Sequence, residues 1–361
     1  MDIVIRADAS AQLGTGHVMR CLTLAHALIQ EGARVAFVIR EMPAALEHLV
    51  SKHFLLHALK VPTGIEGSTS FEEDALKTIQ YLNHRGKPDW MIIDNYSIGL
   101  DWERRIRPHV GRIMVIDDLA NRTHDCELLL DQNLCPSFET RYDVLVPRHA
   151  RKLLGPKYAL LRPEFYEIRG RLPSRDGQIR SILVSFGGAD PTNETAKTLQ
   201  AMSLLGPSSI ELVVVIGGSN PQAEAVSRLC SKLANARLYS DVSNMAELMA
   251  KAHLAIGAPG ATTWERCLLG LPAITIVSAP NQQLVGESVS STGASVNLGW
   301  HSDVTSTKIA EAVAQLRENP RTVREMGRAA LRIVEGNDGV ARRQILGAIL
   351  NWKEYGHGQF I

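Results

Sequence analysis

Short apolar runs alternate with amphipathic stretches along the first part of the chain. The run at residues 3–7 ends in Asp8, and Leu22, Ala25, Leu28 and Ile29 then line up at helical spacing. This predicts a strand followed by a helix over residues 18–30, which Gly32 stops. Further strands are expected at 35–39, at 90–93 (running into Asp94-Asn95-Tyr96) and at 113–116 (running into Asp117-Asp118). Runs of this kind predict a parallel sheet, with its ligand site beyond the carboxyl ends of the strands.

The pattern breaks at residues 147–178, which hold four prolines and many charges and read as a linker. It then restarts: a strand at 181–185, the loop FGGADPTNE, and a helix from about Thr192, with Asp190-Pro191 as its cap and first turn. Strands at 211–216, 254–257 and 273–277 complete a second sheet, and residues 305–355 read as mostly helical. The organisation expected is a first α/β domain over 1–150, a linker over 151–178, a second α/β domain over 179–340 and a helical tail over 341–361. Two doubly wound domains of this kind are expected to face each other across a cleft.

Length and composition agree with this. The 361 residues exceed what one core usually serves, and 45% hydrophobic with 21% charged residues is ordinary for a globular protein. With 39 basic against 38 acidic residues, the balance argues against a nucleic acid or an anionic membrane as partner. The amino terminus enters a strand without signal-peptide features, and no apolar stretch nears the ~20 residues of a membrane span. The five cysteines are scattered and odd in number, which predicts free thiols in a reducing cytoplasm rather than disulfides or a zinc site.

The chemistry concentrates in glycine-rich turns. Gly14 and Gly16, flanking Thr15, permit a tight turn whose N–H groups can accept an anion. As a dinucleotide fingerprint the segment lacks its third glycine, although Glu41 sits where a ribose-binding acid would follow the second strand. His17 comes directly after the turn. The positive potential of a helix start favours the uncharged imidazole, a competent general base; the other reading is a histidine that only contacts phosphate. Asp8 either orients that ring or binds backbone amides. In the second half, Gly260, Ala261 and Thr262 form another amide-rich turn, and Gly187 and Gly188 a third. Glu265, one turn further on, either accepts hydrogen bonds from ribose hydroxyls or simply favours the helix start. Three such turns at sheet ends point to a diphosphate nucleotide. No metal and no cofactor are expected: zinc spacing and D-x-D are absent, and Asp117-Asp118 reads as a turn. Backbone amides, helix dipoles and Arg20 would stabilise a leaving diphosphate.

The string R-x-D-x-S at Arg6, Asp8 and Ser10, followed by G-x-G-H-x-x-R at Gly14, Gly16, His17 and Arg20, resembles the UDP-sugar hydrolases of pseudaminic acid biosynthesis. The likeness continues in order through IIDNY, VSFGGADPTN, GAPGATTWERCLLGLP and the Asn281-Gln282 pair. Its carboxy-terminal motifs are shared with UDP-GlcNAc transferases. The resemblance implies a GT-B architecture of two Rossmann-like domains, the second binding UDP. It also implies metal-independent, inverting hydrolysis of UDP-2,4-diacetamido-2,4,6-trideoxy-β-L-altropyranose. It makes His17 the base, puts Tyr96 in the sugar pocket, and sets the pyrimidine near Val242 and Met245. Some relatives carry asparagine where this chain has Trp264, so no role for that asparagine carries over. The partner expected is a small nucleotide sugar, and the protein is expected to be a monomer. Three alternatives stand beside this reading. One is a GT-B glycosyltransferase in which His17 deprotonates an acceptor, with residues 41–60 as its only candidate membrane-facing patch, although that stretch reads rather as a half-buried helix plus strand. The others are an NAD-dependent oxidoreductase and a non-catalytic nucleotide-sugar sensor.

Overall fold

The computed structural model describes residues 1–10, 14–59, 69–172, 174–206, 209–218 and 220–352. Part of the expected tail, residues 353–361, lies outside the described residues, as does Leu13 of the first turn. The chain divides into two compact units. One comprises Met1–Asn133, Ser137–Leu160 and Gly336–Ile361, and the other Leu134–Pro136 and Leu161–Glu335.

The first unit is a seven-stranded parallel sheet. Its strands are β1 (Asp2–Ala7), β2 (Arg34–Ile39), β3 (Leu55–Ala58), β4 (Trp90–Asp94), β5 (Arg112–Ile116), β6 (Leu128–Asp131) and β7 (Arg151–Leu154), in the order β3-β2-β1-β4-β5-β6-β7. Alternate residues of β1 serve opposite faces, as the two-residue period of a strand requires. Ile3, Ile5 and Ala7 join Leu24 and Leu28 of the helix Gly16–Gln30. Val4 packs in a second cluster with Ile93, Trp102 and Ile106. Burial on both faces is why these strands read as continuous apolar runs.

The helix plus strand expected over residues 41–60 is present as the helix Ala44–Ser51 and β3. Two strands differ from expectation: β6 and β7 are short, and their local sequence alone does not separate strand from loop. The expected linker therefore begins inside the first unit: β7 pairs with β6 through Arg151 to Leu154, and from Ser137 the chain stays in this unit to Leu160. Arg151 and Lys152 made this stretch look like linker, but β7 is an edge strand, where charge is tolerated and discourages further pairing. The expected tail is likewise part of this unit. The helix Gly339–Leu350 buries Ile345, Leu346, Ala348 and Ile349 in the first core, and Trp90 Nε1 donates to the Ile349 carbonyl at 3.0 Å.

The second unit has six parallel strands: β8 (Ser181–Ser185), β9 (Glu211–Ile216), β10 (Ala236–Ser240), β11 (Leu254–Gly257), β12 (Ala273–Val277) and β13 (Ser295–Trp300), ordered β10-β9-β8-β11-β12-β13. β10 and β13, the two edges, were not expected; their partly exposed, mixed sequences lack an apolar run. The helix expected from about Thr192 begins at Glu194. Asp190 caps it from a distance: its two carboxylate oxygens accept from the N–H groups of Glu194 and Thr195, each at 2.9 Å. All five cysteines are free and buried, and no described helix is long and apolar enough to cross a membrane.

In both sheets the strand order reverses beside the first strand, between β1 and β4 and between β8 and β11. Loops leaving the carboxyl ends at such a point are where open α/β sheets bind ligands. Every glycine-rich turn singled out from the sequence leaves one of these strands.

Candidate functional site

β1 and β4 lie side by side with Ala7 paired to Asp94, so the loop after β1 and the residue ending β4 meet at one edge. Gly14 turns the chain there with φ +75°, and its N–H donates to the Ser10 carbonyl at 2.8 Å. A side chain at that φ would be strained, which is why glycine occupies it. Thr15 stands at the cap position without a side-chain cap, and Gly16 opens the helix. This brings His17 and Arg20, one turn apart, onto Asp94.

The contacts are short and buried. His17 Nδ1 lies 2.6 Å from Asp94 Oδ1, while Arg20 donates from Nε to Oδ2 and from Nη2 to Oδ1, both at 2.6 Å. Arg20 Nη1 donates to Asp118 Oδ2 at 3.0 Å. Arg20 Nη2 is also 3.2 Å from His17 Nδ1. The shorter contacts to Asp94 assign Nδ1 as a donor, which puts the ring's basic lone pair on Nε2. Burial would push the Asp94 carboxyl up, but the Arg20 guanidinium, and His17 after it, hold it well below the usual carboxylate range. Tyr96 sets its ring edge-on to the imidazole, with centroids 4.4 Å apart at 85°. The arrangement is a carboxylate–histidine pair with an aromatic wall.

Two expectations change here. Asp8 does not orient His17. Its Oδ1 accepts from Arg6 Nη1 at 2.5 Å and from the N–H groups of Arg40 at 2.7 Å and Glu41 at 3.3 Å; its Oδ2 accepts from Asn95 Nδ2 at 2.8 Å. Asp8 therefore ties β1 to the chain after β2, and the backbone-amide reading is the one that fits. Arg20, expected near a diphosphate, is buried with both arms committed to carboxylates. The orienting residue, Asp94, was visible as the polar end of an apolar run. Its adjacency to His17, 77 positions away, was not.

In the second unit the paired ends of β8 and β11 bring two turns together. Gly187 follows β8 with φ +86°. Gly188 supports a close backbone approach: a Cβ on Gly217, after β9, would lie 2.4 Å from the Gly188 carbonyl oxygen. Gly260 and Ala261 follow β11, and Thr262 begins the helix Thr262–Leu268. Gln282, in the short turn Pro280–Gln282 after β12, holds its Oε1 on the N–H and hydroxyl of Ser278 at 3.0 and 3.1 Å. Its Nε2 lies beside Gly260, 3.8 Å from where a Cβ would stand. Asn281, next to it, is half-buried.

Glu265 is largely buried on that helix, its Oε1 3.0 and 3.2 Å from two nitrogens of Arg162, and burial pushes its carboxyl up. Trp264 is fully buried in the unit's interior, which removes it from any contact with a sugar phosphate. Val242 lies in the turn after β10, and Met245 opens the helix Met245–Lys251. β9 separates β10 from β8, and the turn after β10 meets the turn after β9, where the Gly218 N–H donates to Asp241 Oδ1 at 2.6 Å.

Known proteins resemble this chain at modest identity. An uncharacterized protein of Methanocaldococcus jannaschii is 28% identical over 76% of this chain and 55% of its own length, so the chain spans about half of that relative. The UDP-2,4-diacetamido-2,4,6-trideoxy-β-L-altropyranose hydrolase of Campylobacter jejuni is 27% identical over 78% of this chain and 94% of that protein. Among solved structures, MurG of Acinetobacter baumannii superposes with a TM-score of 0.66 at 16% identity, covering 97% of this chain and 99% of that one. Residues 181–341 match the glycosyltransferase family 28 C-terminal domain, and the fold of the whole chain, two parallel α/β units, is GT-B.

Proposed function

We propose that the protein hydrolyses a UDP-sugar, UDP-2,4-diacetamido-2,4,6-trideoxy-β-L-altropyranose, to UDP and the free sugar, with His17 as general base. The observation that carries this reading is the buried Asp94 carboxylate on His17 Nδ1, which presents Nε2 as the base. The similarity to the Campylobacter jejuni hydrolase over 94% of its length supports the choice of substrate.

In this mechanism a water oxygen attacks the anomeric carbon as Nε2 takes its proton, and the bond from that carbon to the UDP oxygen breaks with inversion. The electron pair leaves on the β-phosphate. Asp94 stays ionised and stabilises the imidazolium that forms, as carboxylates do in other carboxylate–histidine pairs. Amide groups of the turns at Gly187-Gly188 and Gly260-Thr262 receive the diphosphate charge. Glu265 accepts from ribose hydroxyls, and Asn281 and Gln282 border the same turn. Tyr96 walls the sugar beside His17. Protein groups alone carry these steps; metal independence is part of the proposal.

A second reading is glycosyl transfer, in which the same Nε2 deprotonates an acceptor hydroxyl. The match of residues 181–341 to a glycosyltransferase domain favours it. Turnover in oxygen-18 water with a chelator present separates the two. Hydrolysis at carbon puts label in the sugar; label in UDP means attack at phosphorus and rejects the mechanism. No turnover until an acceptor is added selects transfer. His17→Ala is expected to lower turnover at least ~10²-fold, the usual loss for a missing general base, with UDP affinity nearly unchanged. Equal losses in both would make His17 a binding residue.

A further inference from the structure

Arg162 meets Glu265 in an unusual way. A guanidinium commonly grips a carboxylate with two parallel bonds, one to each oxygen. Here Nε at 3.2 Å and Nη2 at 3.0 Å both converge on Oε1. The other oxygen, Oε2, is buried and has no hydrogen-bond partner among the described residues. A buried carboxylate oxygen without a donor is costly, and native proteins rarely leave one so unless something binds there.

The guanidinium is itself held in place. Arg162 precedes Pro163, which keeps it extended (φ −65°, ψ 144°) just before the helix Pro163–Arg169. Its charged end lies over the Phe165 ring at 4.9 Å, and Nη1 is 3.3 Å from Glu164 Oε1. Phe165 is fully buried, so neighbours pack around this stacking surface. Burial pushes the Glu265 carboxyl up, and Arg162 opposes that, favouring the ionised form.

We propose that Arg162 is a positioning residue for nucleotide recognition, occupying one oxygen of Glu265 and leaving the other, buried and without a donor among the described residues, as the acceptor for the vicinal hydroxyls of a ribose. This rests on the reading that the second unit binds UDP, and it adds the device that makes Glu265 selective for ribose. A neutral or misdirected Glu265 would still tolerate the nucleotide but would no longer distinguish a sugar with hydroxyls from one without.

The test is calorimetric binding of UDP and of 2′,3′-dideoxy-UDP to the full chain and its variants. The parent should bind UDP about tenfold or more tightly than the dideoxy form, the range expected for hydrogen bonds to a charged acceptor. Arg162→Met should collapse that ratio toward one by weakening UDP while leaving dideoxy-UDP nearly unchanged; Arg162→Lys should restore part of it. In a Glu265→Gln background, Arg162→Met should no longer change the ratio. A general loss of structure would weaken both ligands together and leave the ratio standing, and that result overturns the proposal. A parent that discriminates, with a ratio unmoved in both Arg162 variants, also overturns it while sparing the UDP reading. A parent that binds neither ligand defeats both.

Discussion

Asp94 accepts one bond from His17 and two from Arg20 while wholly buried, so its charge is the pivot of the first unit's site. Asparagine there would present either an amide N–H or a carbonyl to Nδ1, and the ring could take the wrong tautomer. Asp94→Asn is therefore expected to lower turnover by on the order of 10³–10⁴, the scale seen when a carboxylate–histidine pair loses its carboxylate. UDP affinity should stay within a few-fold of the parent, because the proposed nucleotide contacts are on the other unit. Steady-state kinetics beside UDP titration would check this; a variant with parental turnover removes Asp94 from the mechanism. The same substitution leaves the buried Arg20 charge less compensated, so some loss of stability accompanies it. The sign for the parent follows from the carboxyl being held below its ordinary value. Its stabilising contribution is present above the usual carboxylate range and is lost as the pH falls through the folded value.

Among the elements, four neighbouring strands of the first sheet end in, or run directly into, an aspartate. Asp8 follows β1, Asp94 ends β4, Asp117 follows β5 and Asp131 ends β6. Each is within ion-pair distance of an arginine: Arg6, Arg20, Arg122 and Arg141 respectively. The last pair is the loosest, at 3.3 Å. Asp131 is pushed up to about 7, chiefly by burial and then by the neighbouring Asp118. A raised carboxyl contributes stability below the unfolded value near 4, and this contribution is lost as the pH rises toward 7. The slope is at most ~1.4 kcal/mol per pH unit. Asp131→Asn, which cannot ionise, should accordingly gain stability over the parent at pH 8 and lose most of that advantage at pH 4. Urea unfolding at the two values measures it, and a difference that is flat with pH would show that Asp131 does not titrate in this range.

At the scale of the whole molecule, the chain crosses from the first unit to the second after Leu160 and returns after Glu335. The returning helix Gly339–Leu350 supplies Ile345, Leu346, Ala348 and Ile349 to the first core, and burying each of the larger ones is worth ~1.5–3 kcal/mol. Ending the chain after Glu335 should destabilise the first unit selectively. Amide hydrogen exchange should rise in β1 and β4 while β8 and β11 keep their protection; equal loss in both sheets would show that the units do not unfold separately. The fold was largely legible from the chain alone, because an apolar run of five or six residues, a glycine turn and an amphipathic helix are local patterns. Edge strands such as β7 and β10 escaped because an edge needs no apolar run. Likewise the glycine turns and His17 could be read in place, since a turn followed by a helix start is specified within a few residues. The sequence by itself thus determined two parallel α/β units and the place of His17 at the start of the first helix. Only the tertiary structure decided that Asp94, not Asp8, meets His17, and that Arg162 leaves one oxygen of Glu265 unbound. Those pairings depend on which strand ends the sheet sets side by side and on how the chain re-enters a unit, and hydrogen-bonded register over tens of residues has no local signature.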